Sequence, residues 1–205
     1  NNLFGSFFFF CDFNADGKTD LAVGAEYHST ETGRVYLYET RDNFAWQLQS
    51  VPSLTGGLRT NPSFSGQELK ITGEVGTGQF GNALTSGDFN ADGKTDLAVG
   101  AYAYSSATGQ VYIFYSDGHL ASAATSADVV IVGAATGECF GRSLASGDWN
   151  ADGRIDLAVG AVLAIDKGRA YVFWNDGSFP IIASAADAVI TGPSSNSAFG
   201  AALAS

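Results

Sequence analysis

Three short stretches of the chain place oxygen-bearing side chains at alternate positions, a spacing that suits a divalent cation. DFNADGKTDLAVGA begins at Asp12 and again at Asp88, and the near-copy DWNADGRIDLAVGA begins at Asp148. Counted from the first aspartate, side-chain oxygens fall at positions 1, 3, 5 and 9, glycine at position 6 permits a bend, and the carbonyl of position 7 can point inward. Ca²⁺ takes six to eight such ligands. The sequence therefore predicts three calcium sites, with ligands from Asp12, Asn14, Asp16, Lys18 and Asp20, from Asp88, Asn90, Asp92, Lys94 and Asp96, and from Asp148, Asn150, Asp152, Arg154 and Asp156.

These stretches are not EF-hands, which need a glutamate at position 12 between two helices. Position 12 here is valine each time, within the apolar run DLAVGA. One copy could be an acidic turn, but three copies in register favour a nine-residue calcium loop joining two strands. Mg²⁺ suits the pattern less well, because it prefers octahedral sites with retained waters. Position 2 is aromatic each time, and we expect these side chains to pack beneath the loop: Phe13, Phe89 and Trp149.

Composition narrows the classes of function. The net charge of −11 over 205 residues argues against nucleic acid or an anionic membrane as a partner. No apolar run approaches the ~18 residues of a membrane-spanning helix. Catalysis has little support, because the two histidines, His28 and His119, lie in non-matching loops and no nucleophile–base pair stands out. Cys11 and Cys139 could form a disulfide, although two free thiols are the favoured interpretation.

Further landmarks recur with the loops. Phe-Gly pairs begin at Phe4, Phe80, Phe140 and Phe199, 76, 60 and 59 residues apart. Each full repeat holds four candidate strands, as in FGNALTSGD, DLAVGA, GQVYIFY and VVIVG of the second repeat, and SDGH and NDGS indicate tight turns between the last two. Four antiparallel strands in about 60 residues are one blade of a β-propeller. The predicted fold is an all-β partial propeller in one domain, 1–205, with blades at about 4–79, 80–139 and 140–198 and the first strand of a fourth at 199–205.

The Phe-Gly pair, the calcium loop and the closing Gly-Ala, at fixed separations, resemble the FG-GAP repeat of integrin α-chain propellers and related bacterial and fungal proteins. The resemblance covers nearly the whole chain and implies a calcium-binding propeller, usually of about seven blades. Three blades leave an open ring, completed either by more of the same polypeptide or by self-association if the chain is complete. The chain departs from the family at FGSFFFFCD, where phenylalanines replace small residues, so blade one is expected to pack differently or to lie at an edge.

In such blades the calcium loops share one face with a 16-residue insertion in repeat one. The insertion is either a longer hairpin, which is the favoured interpretation, or a ligand loop that carries Trp46, Arg59 and Phe64. By resemblance, ligands bind the opposite face, where Tyr27, His28, Tyr102 and Tyr104 are the first candidates.

The leading hypothesis is a secreted binding module for a glycan or an extracellular protein, with structural calcium and no insertion into membranes. A resemblance to a fungal lectin family with such repeats supports the glycan. The alternatives are the propeller portion of a secreted lyase or phospholipase, and a purely structural assembly unit.

Overall fold

The computed structural model describes residues 7–28, 32–39, 68–74, 78–116, 120–164 and 167–204. Several sequence predictions lie outside these ranges: the first Phe-Gly pair at 4–5, the candidate ligand residues of the insertion (Trp46, Arg59 and Phe64), and His119. The described ranges contain all three predicted calcium loops and the candidate residues of the opposite face.

The described strands form three four-stranded antiparallel sheets, each paired in chain order, and we call each sheet a blade. This confirms the predicted all-β fold with propeller-type blades. Valine, isoleucine and aromatic residues dominate the strands, since such side chains suit a pleated, half-buried surface. Blade one holds β1 (Phe7–Cys11), β2 (Asp20–Ala25), β3 (Arg34–Tyr38) and β4 (Glu68–Thr72). Blade two holds β5 (Leu84–Gly87), β6 (Asp96–Ala101), β7 (Gln110–Phe114) and β8 (Val129–Val132). Blade three holds β9 (Phe140–Gly147), β10 (Asp156–Ala161), β11 (Arg169–Phe173) and β12 (Ala188–Thr191).

Helical structure is limited to short turns in the described residues. An irregular helical turn, α1, covers Tyr104–Ala107, and two 3₁₀ turns cover Ala124–Ser126 and Ala183–Ala185. None of the helical segments in the described part of the chain has the length and apolar character to cross a membrane.

The connection from the third to the fourth strand is longer than the predicted tight turn. β11 ends at Phe173 and β12 begins at Ala188, so NDGS at 175–178 only opens the connection. The remainder fills the gap between blades, because Phe179 and Ala183 are buried in the apolar core that blade three shares with blade two. The tight-turn prediction is therefore wrong for NDGS, because packing against the neighbouring blade determines this segment, while residues 117–119 of SDGH lie outside the described residues.

Blades pack face to face around apolar cores that combine residues of two neighbouring blades. A parallel bridge joins the glycine before each third strand to the phenylalanine of the next Phe-Gly pair: Gly33 to Phe80, Gly109 to Phe140 and Gly168 to Phe199. The last of these bridges holds the start of the fourth repeat on blade three of the same chain. The glycine of each Gly-Ala pair lies against the next Phe-Gly pair, so a Cβ on Gly100 would overlap the carbonyl oxygen of Gly141.

One face of blade three lies open among the described residues. Ile71 of blade one and Ile131 of blade two are 0% exposed at the blade interfaces, whereas the equivalent Ile190 of blade three is 51% exposed. At the other end of the array, Phe8 and Phe10 of β1 are 57% and 60% exposed. Among the described residues no further blade covers these two side chains, and the expectation that blade one packs differently or lies at an edge stays a prediction.

Candidate functional site

The three predicted calcium loops adopt one common backbone conformation. They connect the first strand to the second in each blade and cover residues 12–20 (loop 1), 88–96 (loop 2) and 148–156 (loop 3). Position 4 is an alanine in the left-handed region each time, with φ of 56°, 60° and 61°, and the position-6 glycine follows at 80°, 85° and 86°. Alanine adopts positive φ only at an energetic cost. The same costly conformation in three loops indicates that side-chain contacts impose it.

The side chains at positions 1, 3 and 5 supply those contacts. In loop 2, the Asp88 carboxylate accepts the N–H groups of Asp92, at 2.9 Å, and of Gly93, at 2.8 Å. The amide oxygen of Asn90 accepts the same Asp92 N–H at 3.0 Å, and Asp92 accepts the Lys94 N–H at 2.8 Å. Loops 1 and 3 repeat this pattern. The oxygens of positions 1 and 3 therefore lie together around one backbone N–H.

The aspartate at position 9 has a different environment. Asp20, Asp96 and Asp156 begin the second strands and are at most 1% exposed. In every loop one carboxylate oxygen accepts the N–H of position 2, at 2.8–3.0 Å. Burial raises the pKa of Asp96 to about 6, although backbone N–H groups from Ser116, Phe89 and Asn90 oppose this shift. This carboxylate therefore joins the start of the loop to the first residue of the second strand.

The donor chemistry of the loops fits Ca²⁺. Each loop offers carboxylate, amide and carbonyl oxygens, the hard ligands that this ion prefers, on a bend of the correct length. In the described part of the chain no three acidic, histidine or cysteine side chains converge closely enough to hold a metal. Each predicted ligand set also contains an asparagine amide and a main-chain carbonyl, which are not among these side-chain types.

The aromatic residues at position 2 differ between the blades. Phe13 and Phe89 are 5% and 1% exposed, and the Phe89 ring meets Phe179 of blade three edge to face at 5.8 Å. These two residues pack as predicted. Trp149 is 41% exposed, so the prediction is wrong for loop 3. The physical reason is that no further blade covers this position among the described residues.

On the opposite face, the four candidate ligand residues lie near the ends of the second strands and are all partly buried. The Tyr104 hydroxyl donates to Glu74 at 3.0 Å, and His28 meets the Tyr36 ring edge to face at 6.2 Å. These two side chains are therefore already engaged within the fold.

Tyr102 belongs to a cluster that draws on all three blades. The guanidinium of Arg142, from blade three, lies 4.8 Å from the centre of the Tyr102 ring, a cation–π contact. Glu26 and Tyr27 of blade one are close enough to raise the pKa of Tyr102, although burial is the larger cause. One carboxylate oxygen of Glu26 is buried without a hydrogen-bond partner, and burial raises the pKa of this group. Sequence reasoning missed Glu26 and Arg142, since their repeat positions carry unrelated residue types in the other blades.

Both cysteines are free thiols in the structure, Cys11 half-buried and Cys139 buried. This agrees with the favoured interpretation of the sequence.

Comparison with known proteins identifies the repeat. The FG-GAP repeat profile matches residues 4–38 and 80–114. The chain is 36% identical over 167 residues to integrin alpha-M of Mus musculus, covering 77% of the chain and 13% of that protein. It is 29% identical to integrin alpha pat-2 of Caenorhabditis briggsae, over 88% of the chain and 14% of the relative. It is 34% identical to phosphatidylinositol-glycan-specific phospholipase D of Mus musculus, over 75% of the chain and 18% of the relative. The chain thus spans less than a fifth of the length of these relatives.

The first and second matched segments correspond to the first three strands of blades one and two, and blade three has the same strand order and the same loop. The chain is therefore an FG-GAP repeat protein, and its repeats fold as four-stranded β-propeller blades.

Proposed function

We propose that this chain is a secreted, calcium-stabilised β-propeller module that binds a glycan or an extracellular protein and has no catalytic role. One observation carries the calcium part: three loops repeat the same ligand types, the same left-handed alanine and the same hydrogen bonds. Chance recurrence of an acidic turn does not account for agreement at this level of detail.

The cation would be held by the fifteen predicted ligand residues, five in each loop, with Lys18, Lys94 and Arg154 contributing main-chain carbonyls. A bound ion would neutralise carboxylates that otherwise repel one another and would fix the first strand to the second. Extracellular calcium sites bind at about 10⁻⁴–10⁻³ M. A site with a dissociation constant of ~10⁻⁴ M gains about 1.4 kcal/mol at ~1 mM calcium, so three sites contribute roughly 4 kcal/mol.

Chelation tests this proposal directly. EDTA should lower the melting temperature by several degrees, and calcium should restore it more fully than magnesium at equal concentration. Replacing the position-5 aspartates Asp16, Asp92 and Asp152 by asparagine should remove the response. An unchanged melting temperature in EDTA would refute the metal sites.

The opposite face is the proposed ligand site, centred on Tyr27 and Tyr102 with His28 and Tyr104 at its margin. Tyrosine and arginine are enriched at binding hot spots, and three blades contribute to the cluster around Tyr102. A glycan array and an extracellular-protein binding screen, each with and without calcium, should find a ligand whose binding Tyr102→Ala weakens. Tyr115→Ala is the matched control, because Tyr115 follows the third strand at the end of the blade that carries the acidic loops.

Similarity to a phospholipase D favours one alternative, the propeller portion of a secreted enzyme. All nine aspartates of the loops belong to the proposed calcium ligand sets, so these clusters of acidic residues do not support a catalytic role. A third possibility is an assembly unit, since the open face of blade three offers an apolar surface to more of the same polypeptide or to a second copy. Light scattering tests whether a second copy covers this face: a monomer at all protein concentrations rules out self-association.

A further inference from the structure

Two side chains join each loop to the blade that follows it. Ser116 and Asn175 occupy the same place in blades two and three, two residues after the end of the third strand, and each is 1% exposed. The Ser116 hydroxyl donates to the carbonyl oxygen of Phe13 in loop 1 at 2.7 Å. The Asn175 amide donates to the carbonyl oxygen of Phe89 in loop 2 at 2.9 Å. Both bonds therefore end on the position-2 peptide of the preceding loop.

The backbone N–H groups of the same two residues reach the loops of their own blades. Ser116 N–H donates to Asp96 Oδ1 at 2.8 Å, and Asn175 N–H donates to Asp156 Oδ1 at 2.9 Å. The other oxygen, Oδ2, of each aspartate accepts the position-2 N–H of its own loop, from Phe89 at 2.8 Å and from Trp149 at 3.0 Å.

These six hydrogen bonds form one continuous series, which we call the relay, from loop 1 through loop 2 to loop 3. Its carboxylates, Asp96 and Asp156, are 0% exposed, so water does not compete for them. Buried hydrogen bonds to charged groups are shorter and stronger than exposed neutral ones. The three loops are therefore connected to one another through buried hydrogen-bonded groups.

We propose that Ser116 and Asn175 are positioning residues that couple the three loops, so that cation binding at one loop strengthens binding at its neighbour. This inference rests on the proposed calcium sites. The position-9 aspartate belongs both to the predicted ligand set and to the relay. The Phe89 carbonyl holds Asn175, and the Asn175 N–H holds Asp156 in loop 3, so a cation that ordered loop 2 would act on loop 3 through these two bonds. Coupling between sites is reciprocal, so loop 3 affects loop 2 to the same extent.

Terbium luminescence excited through tryptophan reports on loop 3 as the part of the signal that Trp149→Phe removes, because position 2 is Trp149 there and phenylalanine in loops 1 and 2. Trp46→Phe and Trp174→Phe are made throughout, so that Trp149 is the sole sensitiser and Trp149→Phe is the control that must abolish the signal. In the otherwise unchanged chain, Asp92→Asn in loop 2 should weaken terbium binding at loop 3 by about fivefold, the lower end of typical coupling. In the Asn175→Ala background the same change should have less than about a twofold effect.

Two further variants separate coupling from general damage. Asn175→Ser introduces the residue that blade two uses and should restore the fivefold effect. Asp16→Asn in loop 1 should also weaken terbium binding at loop 3, by a smaller factor because loop 2 lies between them. Ser116→Ala should abolish this effect of Asp16→Asn and preserve the effect of Asp92→Asn. This comparison tests the relay even if Asn175→Ala does not fold. Ser126→Ala, at an exposed 3₁₀ position, is the neutral control.

The outcomes distinguish the two proposals. Equal effects of Asp92→Asn with and without Asn175, or no effect in the unchanged chain, would overturn the relay while leaving the calcium sites intact. Failure of terbium and calcium to bind any loop would overturn the calcium sites, and the relay with them.

Discussion

Truncation of the isoleucine at one repeat position should have very different costs in blades two and three. Ile131 and Ile190 stand at equivalent places on β8 and β12, but Ile131 is fully buried and Ile190 is 51% exposed. Isoleucine to alanine removes three carbon atoms, at about 0.8 kcal/mol for each buried CH₂ group. At Ile131 the cavity adds to this transfer loss, so Ile131→Ala should cost about 3–4 kcal/mol. At Ile190 about half of the transfer loss applies and no cavity forms, so the cost should be about 1 kcal/mol.

Urea unfolding followed by tryptophan fluorescence measures both variants against the parent chain in buffer with calcium. The experiment should be run at two protein concentrations about tenfold apart. A loss for Ile190→Ala that grows with concentration would show that a second copy covers the face. Equal losses for the two variants at both concentrations would refute the reasoning, because they would mean that blade three buries its isoleucine as blade two does.

Three further outcomes follow from the packing of the blades. Gly100→Ala places a methyl group on the carbonyl oxygen of Gly141 and should cost about 3 kcal/mol in urea unfolding; a loss below about 1 kcal/mol would contradict the close approach. Asn82→Ala removes a buried side chain that donates to two carbonyl groups of β9, and it should cost about 2 kcal/mol, whereas Asn82→Asp should not restore stability. Burial raises the pKa of Cys11 to about 12 and also raises the pKa of Cys139, which lowers their thiolate fractions. Iodoacetamide at pH 8 should therefore alkylate the native chain at least about tenfold more slowly than the urea-unfolded chain, and equal rates would show that the thiols are accessible.

The blades could be predicted from sequence because their information is local and repeated. DLAVGA begins with a buried aspartate and continues as a buried strand in all three blades, as its alternating small and branched residues indicate. In the loop before this strand, the Asp-Gly pair at positions 5 and 6 predicts the bend. Local patterns of this kind depend on the backbone and on residues close in sequence. A single copy of the loop motif could be an ordinary acidic turn, whereas three copies in register indicate a repeated structural unit.

Features that depend on the neighbouring blade were not predictable in the same way. Trp149 has the same local pattern as Phe89, yet it is exposed because its neighbour differs. Ser116 and Asn175 perform one structural task with different residue types, so alignment of the repeats gives no signal. The connection that carries Phe179 looked like a turn because Asp-Gly opens it, but its later residues follow the shape of the gap between blades.

The position-9 aspartate explains why loop and strand recur together in this repeat. A carboxylate with 0–1% exposure is costly to bury, and two or more backbone N–H groups compensate for part of that cost in loops 2 and 3. In loop 2 the compensation is incomplete, because burial still raises the pKa of Asp96 to about 6. A cation in the loop would favour the charged carboxylate and supply the remaining stabilisation. On this argument the proposed calcium site and the start of the second strand would act as one structure: the ion would stabilise the carboxylate, and the carboxylate holds the loop and, through Ser116 or Asn175, the end of the third strand.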